Sequence, residues 1–186
     1  MGAIASLVAA TKRPDLFKAL ILIEPVILPE PIAIFFGLLP AFIKQRTPII
    51  SKALNRPDSW SSQEEAFDFH RSKRVFQQLD DGTLWDYIKH GTEIGDDKKY
   101  TLTYNKEWEA HCYSLLPNAW SALAKCSVPV LGIRGGNSDV VWSASWRRWK
   151  RMCPSHQLVN IPETSHLLPL ENPKVVADLI LKLTSG

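Results

Sequence analysis

Val128-Pro129-Val130-Leu131-Gly132-Ile133, running into Arg134-Gly135-Gly136-Asn137-Ser138-Asp139, is the stretch whose reading decides the fold. The apolar run is short, rich in β-branched residues and closed by turn formers. It reads as a buried parallel strand with a loop at its carboxyl end. The same grammar recurs at Leu158-Val159-Asn160-Ile161, which ends in Pro162-Glu163-Thr164-Ser165-His166. Ligands of open α/β sheets bind outside the carboxyl ends of the strands, so Asp139 and His166 stand where chemistry is expected. A carboxylate at Asp139 would hold the His166 tautomer and stabilise the imidazolium formed on proton transfer.

Working outward, Lys18–Ile23 is a third buried strand by its continuous apolar character, closed by Glu24-Pro25. Before it, Met1–Thr11 carries small and apolar residues at helical spacing, suited to close packing on a sheet. Ser143–Met152 reads as a helix with Trp146 and Trp149 on one face and basic residues on the rest, stopped by Pro154. Pro173–Leu183 reads as a final helix with Val176, Leu179, Ile180 and Leu183 as its buried stripe. Between residues 30 and 125 no strand-loop pattern recurs. The expectation there is helices at Ile32–Lys44, Gln63–Arg74, Thr83–Gly91, Asn105–Tyr113 and Pro117–Ala124, with turns at Asp80-Asp81-Gly82 and Gly95-Asp96-Asp97.

Three segments resemble the α/β-hydrolase superfamily, whose triad follows the order nucleophile, acid, histidine. Gly136-Asn137-Ser138-Asp139-Val140-Val141 resembles the acid loop, and His166-Leu167-Leu168-Pro169-Leu170-Glu171-Asn172-Pro173 the histidine loop. Met1-Gly2-Ala3-Ile4-Ala5-Ser6 resembles the start of the helix after the nucleophile elbow, with Met1 directly after the nucleophile position. The resemblance implies a partial α/β-hydrolase fold: three parallel strands with flanking helices, plus a helical cap. Residues 1–29 and 126–186 would form the core and 30–125 the cap insertion. It further implies Asp139 and His166 as catalytic residues, Met1 as an oxyanion-hole residue and a nucleophile missing from these residues. The chain by itself would then be inactive. Met-Gly after the nucleophile favours serine over the aspartate of epoxide hydrolases, which remain the alternative alongside a non-catalytic remnant. The expected substrate is a small hydrophobic ester or lipid-like molecule, with no cofactor.

Composition bounds the rest. With 45% apolar and 22% charged residues in 186, the chain suits one soluble globular domain. A net charge of +3, mixed in sign along the chain, gives no basic face for nucleic acid. Cys112, Cys126 and Cys153 form no CxxC pair, which suits free thiols and a cytoplasmic, reducing location. No His pair has metal-ligand spacing with a third ligand, so no metal site is expected; His70, His90, His111 and His156 read as surface or packing residues. No apolar run is long enough to span a membrane, and the basic helix Arg147–Arg151 reads as a solvated face. The aromatics Trp60, Trp85, Trp108, Trp120, Tyr87, Tyr100, Tyr104 and Tyr113 divide between core and substrate pocket. A strand at Lys18 lacking its outer neighbour would expose an edge and favour self-association.

Overall fold

The computed structural model describes residues 1–115 and 118–184. The chain divides into two units, Met1–Phe35 with Pro117–Gly186, and Phe36–Leu116.

The first unit is built on a parallel sheet of β1 (Leu20–Ile23), β5 (Val130–Gly135) and β6 (Gln157–Ile161), in the order β1-β5-β6. Register runs Leu20 to Val130 and Ile23 to Ile133 on one side, Leu131 to Gln157 and Gly135 to Ile161 on the other. β5 is buried at every position, as a central strand covered on both faces must be. One face packs α1 (Gly2–Lys12), α8 (Ala119–Lys125) and α9 (Ser143–Met152) through Ile4, Leu7, Leu22, Trp120, Leu123 and Trp149. The other packs α10 (Leu168–Glu171) and α11 (Pro173–Thr184) through Leu131, Ile133, Ile161, Leu168 and Val176. Gly132 lets α9 lie close: a Cβ there would fall 2.7 Å from the Trp149 ring and 2.6 Å from Leu158.

The second unit holds the end of α2 (Glu30–Leu38), then α3 (Ala41–Lys44), α4 (Pro48–Asn55), α5 (Gln63–Arg71), α6 (Asp81–Gly91) and α7 (Lys106–Ser114). It also contains a small antiparallel sheet, β2 (Ser59–Trp60), β4 (Tyr100–Leu102) and β3 (Thr92–Ile94), in the order β2-β4-β3. α4 and α7 pack through Ile50, Ala53 and Ala110.

The expected parallel strands are present and adjacent, and their bounds move by one or two residues. Three expectations are corrected. The single helix over 32–44 is two, because Pro40 cannot continue α2 and instead precedes α3. The insertion is not wholly helical: its strands are two or three residues long, too short to register as an alternating pattern. Residues 118–125 belong with the sheet rather than the insertion, since Trp120 is buried in the sheet's own core and donates to the Leu28 carbonyl at 2.8 Å. Pro117, the expected start of that helix, lies outside the described residues.

Candidate active site

All three parallel strands end at one edge of the sheet, and three loops meet there. β1 ends in Glu24, whose N–H still bonds the Ile133 carbonyl at 2.9 Å, but whose φ is +49°. A left-handed backbone at a non-glycine residue costs on the order of 1–3 kcal/mol and is held only when its surroundings fix it. Here they do. The Glu24 side chain is 3% exposed and its carboxylate meets three partners. The Gly135 N–H donates to Oε1 at 2.6 Å, while the Ser138 hydroxyl donates to Oε2 at 2.5 Å. His166 Nδ1 lies 3.0 Å from the same Oε2.

The loops around this carboxylate are bound to each other. The Ser138 oxygen accepts the N–H groups of Val140 and Val141, so its single proton is directed at Glu24. Gly136 N–H reaches the Ile161 carbonyl and Asn137 N–H the Thr164 carbonyl, tying the loop after β5 to the loop after β6. Gly135 permits that approach, because a Cβ would stand 2.5 Å from the Ser165 carbonyl oxygen and 2.6 Å from that of Thr164. The turn carrying His166 is held from its far side by Glu171, which accepts the Ser165 N–H at 2.6 Å and the Ser165 hydroxyl.

His166 is 33% exposed at its side chain and therefore reachable, whereas its carboxylate partner is not. With Nδ1 committed to Glu24, Nε2 is the nitrogen through which the imidazole exchanges a proton. An immobilised imidazole on a buried carboxylate is the acid–base half of nucleophilic catalysis.

His166 Nδ1 lies 3.0 Å from Glu24, a residue that the sequence reading did not single out; Asp139 is an exposed residue of the loop after β5. Its neighbour Ser138 is the loop residue turned toward the site. The signal for Glu24 was nevertheless present: it ends a parallel strand at the same edge as the other two loops, between an apolar run and a proline. Met1 is exposed, and its carbonyl accepts the N–H groups of Ile4 and Ala5 at the start of α1.

The other histidines lie away from this carboxylate. His70 is buried among Trp60, Phe69, Phe76 and Tyr87, with Nδ1 2.7 Å from the Ala66 carbonyl, and burial pushes its pKa down. His156 Nδ1 accepts the Trp149 indole N–H at 2.9 Å, and burial lowers its pKa too. His111 stacks on the exposed Trp108, and His90 is exposed. Within the second unit, a cavity of about 530 Å³ is lined by apolar residues such as Ile50, Leu54 and Leu115 and by polar ones such as Lys44, Glu107 and His111. Among the described residues no cluster of three or more His, Cys, Asp or Glu is arranged to hold a metal, and no helix is long and apolar enough to cross a membrane.

A sequence profile described as "Alpha/beta hydrolase family" matches residues 1–179. Among solved structures, the chain is similar to an E-2-(acetamidomethylene)succinate hydrolase, at 17% identity and a TM-score of 0.81, over 100% of this chain and 64% of that one. It is similar to a peroxisomal alpha-beta-hydrolase of Saccharomyces cerevisiae at 22% identity and a TM-score of 0.72, covering 96% and 48% of the two chains. An esterase of M. tuberculosis matches at 15% identity and a TM-score of 0.72, over 99% and 60%. The chain thus spans less than two thirds of the length of each of these proteins. Among curated protein sequences, none matches the chain significantly.

Proposed function

Because the chain belongs to the alpha/beta hydrolase family, we propose that His166 and Glu24 are the base and the acid of a hydrolytic triad whose nucleophile lies outside these 186 residues. The observation that carries this reading is the 3.0 Å contact between His166 Nδ1 and a buried carboxylate that also accepts from Gly135 and Ser138. His166 Nε2 takes the proton of a nucleophilic hydroxyl as its oxygen bonds the substrate carbonyl carbon. Glu24 stabilises the resulting imidazolium, which returns the proton to the departing alkoxide. In the second half, water gives a proton to the same nitrogen as its oxygen bonds the acyl carbon; the bond from that carbon to the nucleophile oxygen then breaks, the imidazolium returns the proton to that oxygen, and the acid leaves.

The substrate class proposed is a hydrophobic ester, supported by the similarity to an esterase of M. tuberculosis. The nucleophile proposed is serine, supported by Met1-Gly2 at the start of α1, where the resemblance places the residues after the elbow. Met1, whose amide would then follow the nucleophile directly, is the proposed oxyanion donor. The test is a longer polypeptide carrying the family's amino-terminal half ahead of these residues, treated with a fluorophosphonate and examined by peptide mass spectrometry. A serine adduct that disappears in His166→Ala is expected; ester turnover without any serine adduct overturns the serine reading in favour of aspartate. The 186 residues alone should show no ester hydrolysis, because losing the nucleophile removes about 10⁶-fold of rate.

β1 is an edge strand among the described residues, with β5 on one side only. Its free edge is proposed to pair with another strand. Sedimentation velocity of the 186-residue chain should show self-association that grows with concentration; a single monomer boundary at all concentrations rejects this.

A further inference from the structure

The helices α2 and α3 are apolar without being buried. α2 reads Glu-Pro-Ile-Ala-Ile-Phe-Phe-Gly-Leu, yet none of its residues is buried, and the same holds for the four residues of α3, Ala-Phe-Ile-Lys. A helix that is hydrophobic all round normally lies in a protein core or among lipid. Phe36 ties the end of α2 to the second unit, where it packs on Ile50, Ala53 and Ala110. Successive side chains of a helix turn by about 100°, so Leu38, two positions on from Phe36, points away from that cluster. Leu38 is accordingly 80% exposed.

The apolar surface continues past the break at Pro40. The Ile43 and Lys44 N–H groups bond the Pro40 carbonyl, the Arg46 N–H that of Ile43 and the Thr47 N–H that of Lys44, so the chain is wound tightly from α3 into α4. The Lys44 ammonium lies 3.4 Å from the Gly37 carbonyl and 5.4 Å from the centre of the Phe36 ring, which holds α3 to the end of α2. Leu38, Phe42, Ile43 and Ile49, all exposed, thus fall within one short, compact segment.

The charge on this segment has one sign. From Pro31 to Pro57 the only charged residues are Lys44, Arg46, Lys52 and Arg56. Arg56 is engaged by Glu109 at 2.7 Å, whereas Arg46 and Lys52 are exposed and form no ion pair among the described residues. A second copy of the chain would set these cations against their own kind across a two-fold interface. A bilayer of anionic lipid instead offers an apolar interior beneath a negatively charged face. Among the described residues no helix is long and apolar enough to cross a membrane, so the segment suits the plane of the interface rather than a span.

We propose that the end of α2, α3 and the start of α4 form an interfacial anchor that docks the protein on an anionic phospholipid bilayer, with Leu38, Phe42 and Ile49 entering the acyl boundary and Arg46 and Lys52 meeting the headgroups. The anchor stands apart from the roles proposed for Glu24 and His166.

Vesicle flotation tests it. The 186-residue chain should float with vesicles of phosphatidylcholine and phosphatidylserine, and far less with phosphatidylcholine alone. Leu38→Asp combined with Phe42→Asp should lower the partition about tenfold or more. Arg46→Gln combined with Lys52→Gln should lower it about tenfold at low salt and remove most of its salt dependence. Ile94→Asp changes an exposed apolar residue at the end of β3, outside the segment, and should leave flotation as it is. Circular dichroism of each variant shows that it has kept its fold. Flotation that survives the Leu38 and Phe42 changes, or that falls equally with Ile94→Asp, overturns the proposal. So does a wild type that stays off anionic vesicles but self-associates through Leu38 and Phe42, since a second copy then covers the face. The longer polypeptide used for the fluorophosphonate test must float as well; if it does not, the amino-terminal half covers the segment and the anchor is rejected. If it floats but takes no serine adduct and turns over no ester, the hydrolytic reading fails and the anchor stands.

Discussion

Replacing Glu24 by Gln keeps the shape of the side chain while removing the charge that faces His166, and so isolates the proposed role. In the active longer polypeptide, Glu24→Gln should lower kcat by about 10³–10⁴-fold, the range seen when the acid of a triad becomes an amide. Asp139→Asn should leave kcat within a few-fold of wild type. If the two variants exchange these outcomes, Asp139 is the acid and the bonded geometry belongs to a resting arrangement. Gly135→Ala tests the loop approach: its Cβ would sit 2.5 Å from a backbone oxygen, which cannot swing aside as a side chain could. It should cost about 1–3 kcal/mol in urea unfolding and remove activity with it. The sequence made His166 legible because strand, turn and histidine are contiguous. It directed the acid to Asp139, in the loop that matches contiguously, whereas the pairing of Glu24 with His166 is a tertiary contact. Glu24 is 142 positions away from the imidazole it meets.

Elements with strong local signals were readable in the sequence. Ser62 accepts the Glu65 N–H while Glu65 reaches back to Ser61, Asp80 caps α6, and Asn105 caps α7. Helices that begin with such side chains declare themselves. α4 does not: Thr47 makes no side-chain cap and Pro48 merely tolerates the first turn, so its stability comes from Ile50 and Ala53 packing against α7. The β3–β4 hairpin was legible only as its turn, Gly95-Asp96-Asp97. The connection closes with Gly95 N–H on the Lys99 carbonyl at 2.8 Å and puts Lys98 at φ +60°. That conformation costs a side-chain-bearing residue roughly 1–2 kcal/mol relative to the right-handed one. Lys98→Gly relieves it, partly offset by the larger backbone freedom of glycine when unfolded, so a gain of up to about 1 kcal/mol is expected in thermal melts. A loss instead would mean that the lysine side chain stabilises the turn by contacts that outweigh its backbone strain.

At the scale of the molecule, the parallel strands and the helices packed on them were readable because apolar runs closed by turn formers and amphipathic helices leave periodic traces. What the sequence could not sort was the polar interior: His70 and His156 read there as surface or packing residues, and Tyr87 and Tyr113 as core or pocket. Each now sets a limit on stability. Burial lowers the pKa of His70 in the second unit and of His156 in the first, so the unfolded chain binds more protons than the native one once pH falls below the ordinary histidine value of about 6.5. Their contribution is complete above that pH and is lost as pH falls through the lowered native values. The groups facing His70 are the Ala66 carbonyl, which opposes the shift, and Arg56 and Lys73, which add to it. Asp80 and Glu65, held down by hydrogen bonds from Thr83 and Ser61, lose their contribution only below the ordinary carboxylate range. At the alkaline end, burial raises the Tyr87 and Tyr113 hydroxyls well above their usual value, so their contribution is complete below about pH 10 and is lost as pH rises beyond it. The melting temperature should therefore be level between about pH 6.5 and 10 and fall on both sides. His156→Asn, which keeps an acceptor for the Trp149 indole but does not titrate, should shallow the acid limb, and Tyr113→Phe the alkaline one. A wild-type melting temperature that stays constant from pH 7 down to pH 5 would show that neither imidazole is held neutral by the fold.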